Sequence, residues 1–319
     1  MIESICLNKR FSTARWVTKE QPVVKKNPED KFQTILFLPK GDGRQGEGGL
    51  RTKGYFKTSL IDKPLVTVIT VVFNGEKCLE ETILSIINQT YDNVEYIIID
   101  GGSTDGTLDI IRQYEHAIDY WVSEKDGGIY DAMNKSIDLI TGSWANFMNA
   151  GDYFYNNEII KQILDAGVGN YDLIYGPHYS CYRDGLMILR QPKDTKIFWK
   201  GMIASHQSFF VKKYLLQQHK FDIKYKLVAD FEMLYFNYIN GRSFYKYQQV
   251  ISCTSSGGIA DINRYNVIFN YWSVVHKYKC SIFYTPYYIY LMADTILRQF
   301  IKKCIPEVLI NKIRSKLAR

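Results

Sequence analysis

Residues 66–73 read VTVITVVF, eight apolar or β-branched residues in a row with no charge among them. Such an unbroken run predicts a strand buried on both faces of a parallel sheet, because a half-exposed strand would alternate with polar residues. Asn74-Gly75 ends it. Residues 76–88 then place Leu79, Ile83, Ile86 and Ile87 at helical spacing, and 94–99 (VEYIII) form a second buried strand that runs into DGGSTDG at 100–106. Ser103 or Thr104 is placed to cap the following helix, whose apolar face uses Leu108, Ile111 and Tyr114. Residues 118–122 read as a third strand, 129–140 as a third helix, and 144–148 as a fourth strand ending at Asn149-Ala150-Gly151-Asp152. Strand and helix alternate four times, which predicts an α/β fold with an open, mostly parallel sheet and helices on both faces. Beyond residue 152 the reading is a helix at 158–164, a strand at 172–175, weak periodicity to 210, a helix at 230–240 and a strand at 243–248.

Working outward, residues 1–62 read as an N-terminal extension and linker. Within it 32–39 (FQTILFLP) is a candidate strand, and GDGRQGEGG at 41–49 reads as a flexible loop. No Gly-Lys-Ser/Thr closes that loop, so it is not a phosphate-binding P-loop. The final 61 residues, 259–319, are helical, basic and aromatic, and 63–258 is the central domain.

The formal charge of +7 is uneven. Residues 264–319 hold ten Lys and Arg against Asp294 and Glu307, a local +8 that leaves about −1 for the rest. A basic nucleic-acid groove in the main body is therefore not expected. The six cysteines show no C-x-x-C spacing; this argues against a zinc site or disulfide framework and for reduced thiols in the cytosol. No signal peptide is read at the N-terminus, and 280–297, broken by Pro286 and Asp294, is a poor membrane span.

Ligands of open parallel sheets sit beyond the carboxyl ends of the strands, where Asp100 and Asp152 both fall. Neighbouring carboxylates repel unless one is protonated or a cation joins them. A hard divalent ion with oxygen ligands, shared with a diphosphate, meets that need. The alternative is that each acid caps a helix or turn, as Asp105 is expected to do.

The run VTVITVVFNGEKCLEETILSIINQTYDNVEYIIIDGGSTDGTLDII, followed by YWVSEKDGGIYDAMNKSIDLITGSWANFMNAGD, resembles the inverting glycosyltransferase family 2, in the branch working on bacterial surface polysaccharides. The resemblance spans about residues 63–257 and implies the GT-A fold, a Rossmann-like nucleotide-sugar domain. It implies that Val71, Val72, Phe73 and Asn74 hold the nucleobase and ribose, largely through main chain. Asp100 matches the first acid of a paired-aspartate motif whose second acid, a frequent reader of the base in relatives, is Gly101 here. Residues 126–135 fall where the family approaches the donor diphosphate and sugar, with Asn134 and Lys135 the candidates for polar contacts there. His206-Gln207 matches a segment near donor or acceptor, with His206 the candidate binding residue. Asn149–Asp152 matches the Asp-x-Asp metal motif with only its last carboxylate, so Asp152 is the implied ligand of Mg²⁺ or Mn²⁺. The implied general base lies in KLVADFE at 226–232, with Asp230 the first choice and Glu232 the second. Ser255-Ser-Gly-Gly258 is a candidate closing loop.

In the tail, Leu309, Ile313 and Leu317 share a helical face among Lys312, Arg314, Lys316 and Arg319. Amphipathic basic helices of this kind lie in membrane interfaces; the alternative is packing on the catalytic domain. Together these readings predict a cytoplasmic enzyme, peripheral on the inner face of the membrane. It would move a sugar from a nucleotide-diphosphate donor to a hydroxyl of a lipid-linked glycan acceptor in surface-polysaccharide synthesis. A sugar nucleotidyltransferase and a non-catalytic nucleotide-sugar-binding protein are the alternatives. The former would show a glycine-rich basic loop after the first strand, which Phe73-Asn74-Gly75-Glu76 lacks.

Overall fold

The computed structural model describes residues 4–22, 34–41, 43–257, 263–279 and 282–304. Its strands are β1 (Gly46–Gly48), β2 (Val66–Val72), β3 (Val94–Asp100), β4 (Tyr120–Ser123), β5 (Trp144–Phe147), β6 (Tyr153–Phe154), β7 (Leu173–Tyr175), β8 (His178–Cys181), β9 (Met187–Arg190), β10 (Phe209–Lys212), β11 (Phe244–Lys246) and β12 (Ser252–Ser255). Its helices are α1 (Leu79–Ile87), α2 (Thr107–Gln113), α3 (Ile129–Ile137), α4 (Ile159–Asp165), α5 (Lys213–Gln218), α6 (Ala229–Ile239), α7 (Arg264–Lys279) and α8 (Thr285–Cys304).

Eight strands form one sheet in the order β1-β4-β3-β2-β5-β10-β7-β11. Strands β4, β3, β2 and β5 are mutually parallel, whereas β1 and β10 run antiparallel to their neighbours. A second sheet, β6-β12-β8-β9, stands beside it. Every residue of β2 and β3 is buried, and the period-2 alternation sends them into two cores. Ile69, Val71, Ile97 and Ile99 pack with Met133, Ile137, Leu215, Phe231 and Val274, so α3, α5, α6 and α7 cover one face. Val68, Val72, Tyr96 and Ile98 pack with Leu79, Ile83, Ile111 and Ile159, so α1, α2 and α4 cover the other.

Three expectations are corrected. The described part of 32–39 forms no strand; it is tied down by Ile35 N donating to Asp138 O (2.8 Å) and Leu38 N to Tyr120 Oη (3.1 Å). The 41–49 loop is no plain linker, since 46–48 add an edge strand to β4. A Cβ at Gly46 or Gly48 would lie 2.8 or 2.6 Å from the Trp121 ring, so glycine is present to let that indole approach. Two buried ion pairs, Arg51–Glu95 (2.6 Å) and Lys57–Asp119 (2.7 Å), anchor the N-terminal region to the sheet. Finally, neither Ser103 nor Thr104 caps α2. Asp105 Oδ1 accepts from Thr107 N (3.1 Å), as expected of that residue.

The C-terminal helices rest on the central unit through their described residues. Val267, Ile268, Val274 and Val275 of α7 enter the core, and Tyr288 of α8 is buried with its hydroxyl donating to Trp199 O. Along and just before α8, however, Ile282, Phe283, Ile289, Tyr290, Ile296 and Leu297 are exposed. Among the described residues no helix is long and apolar enough to cross a membrane. The amphipathic face at Leu309, Ile313 and Leu317 lies outside the described residues.

Candidate active site

The tips of β2, β3 and β5 and the loops after them make the crevice. At the tip of β2, Val71 and Val72 are buried and their carbonyls accept from Ala150 N (3.3 Å) and Gly101 N (2.9 Å). The main chain expected to hold the nucleoside therefore also fastens the two flanking loops. Phe73 projects outward, 65% exposed. Asn74 adopts the left-handed conformation (φ 52°), which Asn tolerates better than most residues. Its Oδ1 accepts from Thr104 N (2.9 Å) and its N–H donates to Ser103 Oγ (2.7 Å).

Asp100 is fully buried. Its Oδ2 accepts from Ser103 N (3.0 Å) and Ser123 Oγ (2.5 Å), and its Oδ1 from Ser103 Oγ. It ties the loop after β3 to the end of β4. Asp152, 7% exposed, accepts instead from Ser255 N (2.8 Å) and Gln207 Nε2. Strand β2 lies between β3 and β5, so their tips stand two strand spacings apart, about 10 Å. The two carboxylates share no hydrogen-bond partner among the described residues: Asp100 bonds to Ser103 and Ser123, Asp152 to Ser255 and Gln207. Burial pushes the Asp152 carboxyl above the usual aspartate range, against the pull of Ser255 N–H, Gln207 and nearby His206.

No group of three or more His, Cys, Asp or Glu among the described residues is placed to hold a metal ion. One observation nevertheless fits an oxygen-seeking cation here. Asn149, in the same turn as Asp152, is buried and its Oδ1 has no hydrogen-bond partner among the described residues. An amide oxygen and a carboxylate are both hard donors, and a magnesium-type ion completes its shell with water and phosphate oxygens.

His206 joins this side of the site to the next. Its Nε2 lies 3.0 Å from Asn149 Nδ2 and its Nδ1 3.3 Å from Asp230 Oδ2. Asp230, in the first turn of α6, also accepts at Oδ1 from Tyr130 Oη (2.9 Å) and Phe231 N (2.8 Å). Burial opposes ionisation of Asp230, but His206, Phe231 N–H and Tyr130 outweigh it and hold the carboxyl below the usual range. Glu232, the second choice as base, is fully buried and turned away: His219, Lys277 and Tyr278 bond it, the first two at 2.9 Å. The structure assigns it to the junction of α6 with α7.

Asn134 is likewise spent on structure, its Nδ2 donating to Phe221 O (2.8 Å) and its Oδ1 accepting from Phe221 N (2.9 Å). The expected donor contact by Asn134 is corrected accordingly. Lys135 pairs with Glu124 (3.0 Å), which also takes Arg44 (2.9 Å), at the edge of the loop after β4. Gln207 lies in the segment expected near donor or acceptor, but its bond to Asp152 was not foreseen, nor were the roles of Tyr130 and Thr82. Thr82 Oγ1 donates to Asp152 O (2.8 Å) and accepts from Gly151 N (3.0 Å). Ser255, on the candidate closing loop, also binds Asp152.

A mostly parallel sheet with an acid beyond β5 and a second acid opening a later helix is an arrangement of the GT-A kind. The profile of glycosyl transferase family 2 matches residues 67–232, and the chain belongs to that family. An uncharacterized glycosyltransferase of Mycobacterium tuberculosis is 33% identical over 179 residues, 54% of this chain and 68% of the relative. A PGL/p-HBAD biosynthesis glycosyltransferase of Mycobacterium bovis is 28% identical over 219 residues, 62% of this chain and 80% of the relative. Among solved structures, S. aureus TarS 1–349 in complex with UDP-GlcNAc superposes with a TM-score of 0.53 at 17% identity, covering 74% of this chain and 72% of that one. The mannosyltransferase PcManGT of Pyrobaculum calidifontis, in complex with GDP-Man and Mn²⁺, gives 0.53 at 16% identity, covering 80% and 81%. These two likenesses concern the fold. The chain is thus a glycosyltransferase, and the nucleotidyltransferase and non-catalytic alternatives give way.

Proposed function

We propose that this enzyme is an inverting hexosyltransferase that moves a sugar from a nucleoside-diphosphate donor to a hydroxyl of a glycan acceptor in surface-polysaccharide synthesis. The supporting observation is the pair of adjacent residues His206 and Gln207, which link Asp230 on one side to Asp152 on the other. Donor phosphate and acceptor hydroxyl would meet across that link. Asp152, with Asn149 Oδ1, would hold Mg²⁺ or Mn²⁺, whose chemistry when bound is neutralisation of the departing diphosphate. Asp230, kept ionised, would take the proton of the attacking hydroxyl as it reaches the anomeric carbon from the opposite face, a role worth about 10²–10⁴-fold. Tyr130 and His206 orient that carboxylate.

The acceptor is proposed to be lipid-linked, with the enzyme cytoplasmic and docked on the inner face of the membrane. The exposed apolar residues of α8 and the basic excess after residue 264 support that placement. Catalysis would reside in 63–258, with 1–62 and 259–319 as appendages. Thermal-shift titration with UDP and GDP, with and without Mn²⁺, tests the donor site, since a ligand of the folded state raises Tm by mass action. Asp230→Asn should keep nucleotide binding and Tm while losing turnover; unchanged turnover would remove Asp230 from the mechanism.

A further inference from the structure

The geometry points to Asp126 as the residue that selects the donor's nucleobase, by accepting a ring N–H in the space that a side chain at position 101 would fill. This rests on the nucleotide-sugar reading above and deepens it. Gly101 follows Asp100 at the tip of β3, and a Cβ there would lie 2.6 Å from Asp126 Oδ2 and 3.2 Å from its Cγ. Gly101 is not among the glycines with positive φ, so the backbone conformation does not require glycine. Space for the Asp126 carboxylate does.

Only half of that carboxylate is used internally. Oδ1 accepts from Gly128 N (2.8 Å), closing the turn before α3, while no hydrogen bond reaches Oδ2 among the described residues. Asp126 is half-buried, and burial, with the charges of Asp131 and Asp100, pushes its carboxyl above the usual range. A part-desolvated oxygen without a donor is a site that gains from receiving one.

Its position says which part of a ligand would supply that donor. The strand order β4-β3-β2-β5 puts Asp126, three residues past β4, and Asp152, five past β5, at opposite ends of the crevice. The separation is on the order of three strand spacings, about 14 Å, across which a nucleoside diphosphate can lie. With the diphosphate at Asp152, the base falls at the β3–β4 end, and an anion there repels phosphate but suits a ring N–H. Phe73, exposed at the intervening tip of β2, offers a ring face on the way. Uracil N3 and guanine N1 carry hydrogen, whereas cytosine N3 and adenine N1 present lone pairs that a carboxylate repels. Sites built around such a bond discriminate strongly, because the mismatched ligand leaves the buried group unpaired.

The test is calorimetric titration of the full chain with UDP, GDP, CDP and ADP in the presence of Mn²⁺. The expected wild-type result is at least tenfold tighter binding of UDP or GDP than of CDP and ADP. Asp126→Asn should weaken the preferred nucleotide at least tenfold and change CDP less than threefold. Gly101→Ala keeps every charge and drives a methyl group into the carboxylate's place, so it should collapse the same preference and serves should the first variant misfold. Equal weakening of all four nucleotides, or no change in preference in either variant, overturns the inference and leaves the donor site standing. Absence of nucleotide binding by the wild type overturns the proposed function as well.

Discussion

A carboxylate that is to take a proton must be ionised before the acceptor arrives, and the surroundings of Asp230 secure this. Removing one of its donors should be visible in the pH profile. Tyr130→Phe deletes the 2.9 Å bond to Oδ1, leaving burial less opposed, so the carboxyl titrates higher. Activity that needs the ionised form is lost as pH falls through that value. The acidic limb of the kcat profile should therefore move to higher pH in Tyr130→Phe; an unmoved limb would separate Asp230 from proton transfer. At Asp152 the expected loss is of a different kind. Asp152→Ala should abolish the extra thermal shift that Mn²⁺ gives with a nucleoside diphosphate, while Asp100→Asn, which loosens the tie between the loop after β3 and the end of β4, should lower Tm without metal. The sequence pointed to both acids as strand-tip residues but not to their separation, because that depends on strand order, which no local pattern carries. The bonds of Gln207 and Tyr130 were illegible for a related reason: their partners lie 55 and 100 residues away.

Among the elements, the buried parallel strands were the most legible. The run at 66–73 became β2 at Val66–Val72, and 94–99 became β3 at Val94–Asp100, because unbroken β-branched sequence has few other uses. The edge strand β1 was illegible. Its glycines answer to Trp121, 75 residues on, and glycine's low strand propensity gives the opposite signal. The anchoring of the N-terminal region is open to measurement. Lys57 and Asp119 are buried side by side, so Lys57→Ala strands a buried acid and should cost about 3–5 kcal/mol in urea unfolding. The junction of α6 with α7 carries a pH signature. Burial disfavours the charge of Glu232, but His219, Tyr278 and Lys277 overcome it and its pKa is depressed. An acid with a depressed folded-state pKa stabilises the fold above its unfolded value, about 4.3, and loses that contribution as pH falls. Glu232→Gln should therefore lower Tm at neutral pH and flatten its dependence on pH below about 4.3.

For the whole molecule, the charge distribution sets the expectation. The basic excess lies in residues 264–319, the stretch that contains α8 with its exposed apolar residues. Co-sedimentation with vesicles should show binding to anionic phospholipid, little to zwitterionic lipid, and weakening with salt. Changing Lys302, Lys303, Lys312, Arg314 and Lys316 to Gln should cost about 1 kcal/mol of vesicle affinity for each residue near the surface. Binding unaffected by either change would leave α8 without a membrane role.

The antiparallel strand β10 marks a seam in the main sheet, and the residues that lead into it carry His206 and Gln207 to the crevice. The bonds that cross the seam at the crevice include Asn149 to His206, Asp152 to Gln207 and to Ser255, and Tyr130 to Asp230. Such a joint lends itself to recombination. A hybrid that keeps residues 63–152 and borrows 206–255 from a relative, retaining those pairs, would be positioned to inherit one parent's donor and the other's acceptor.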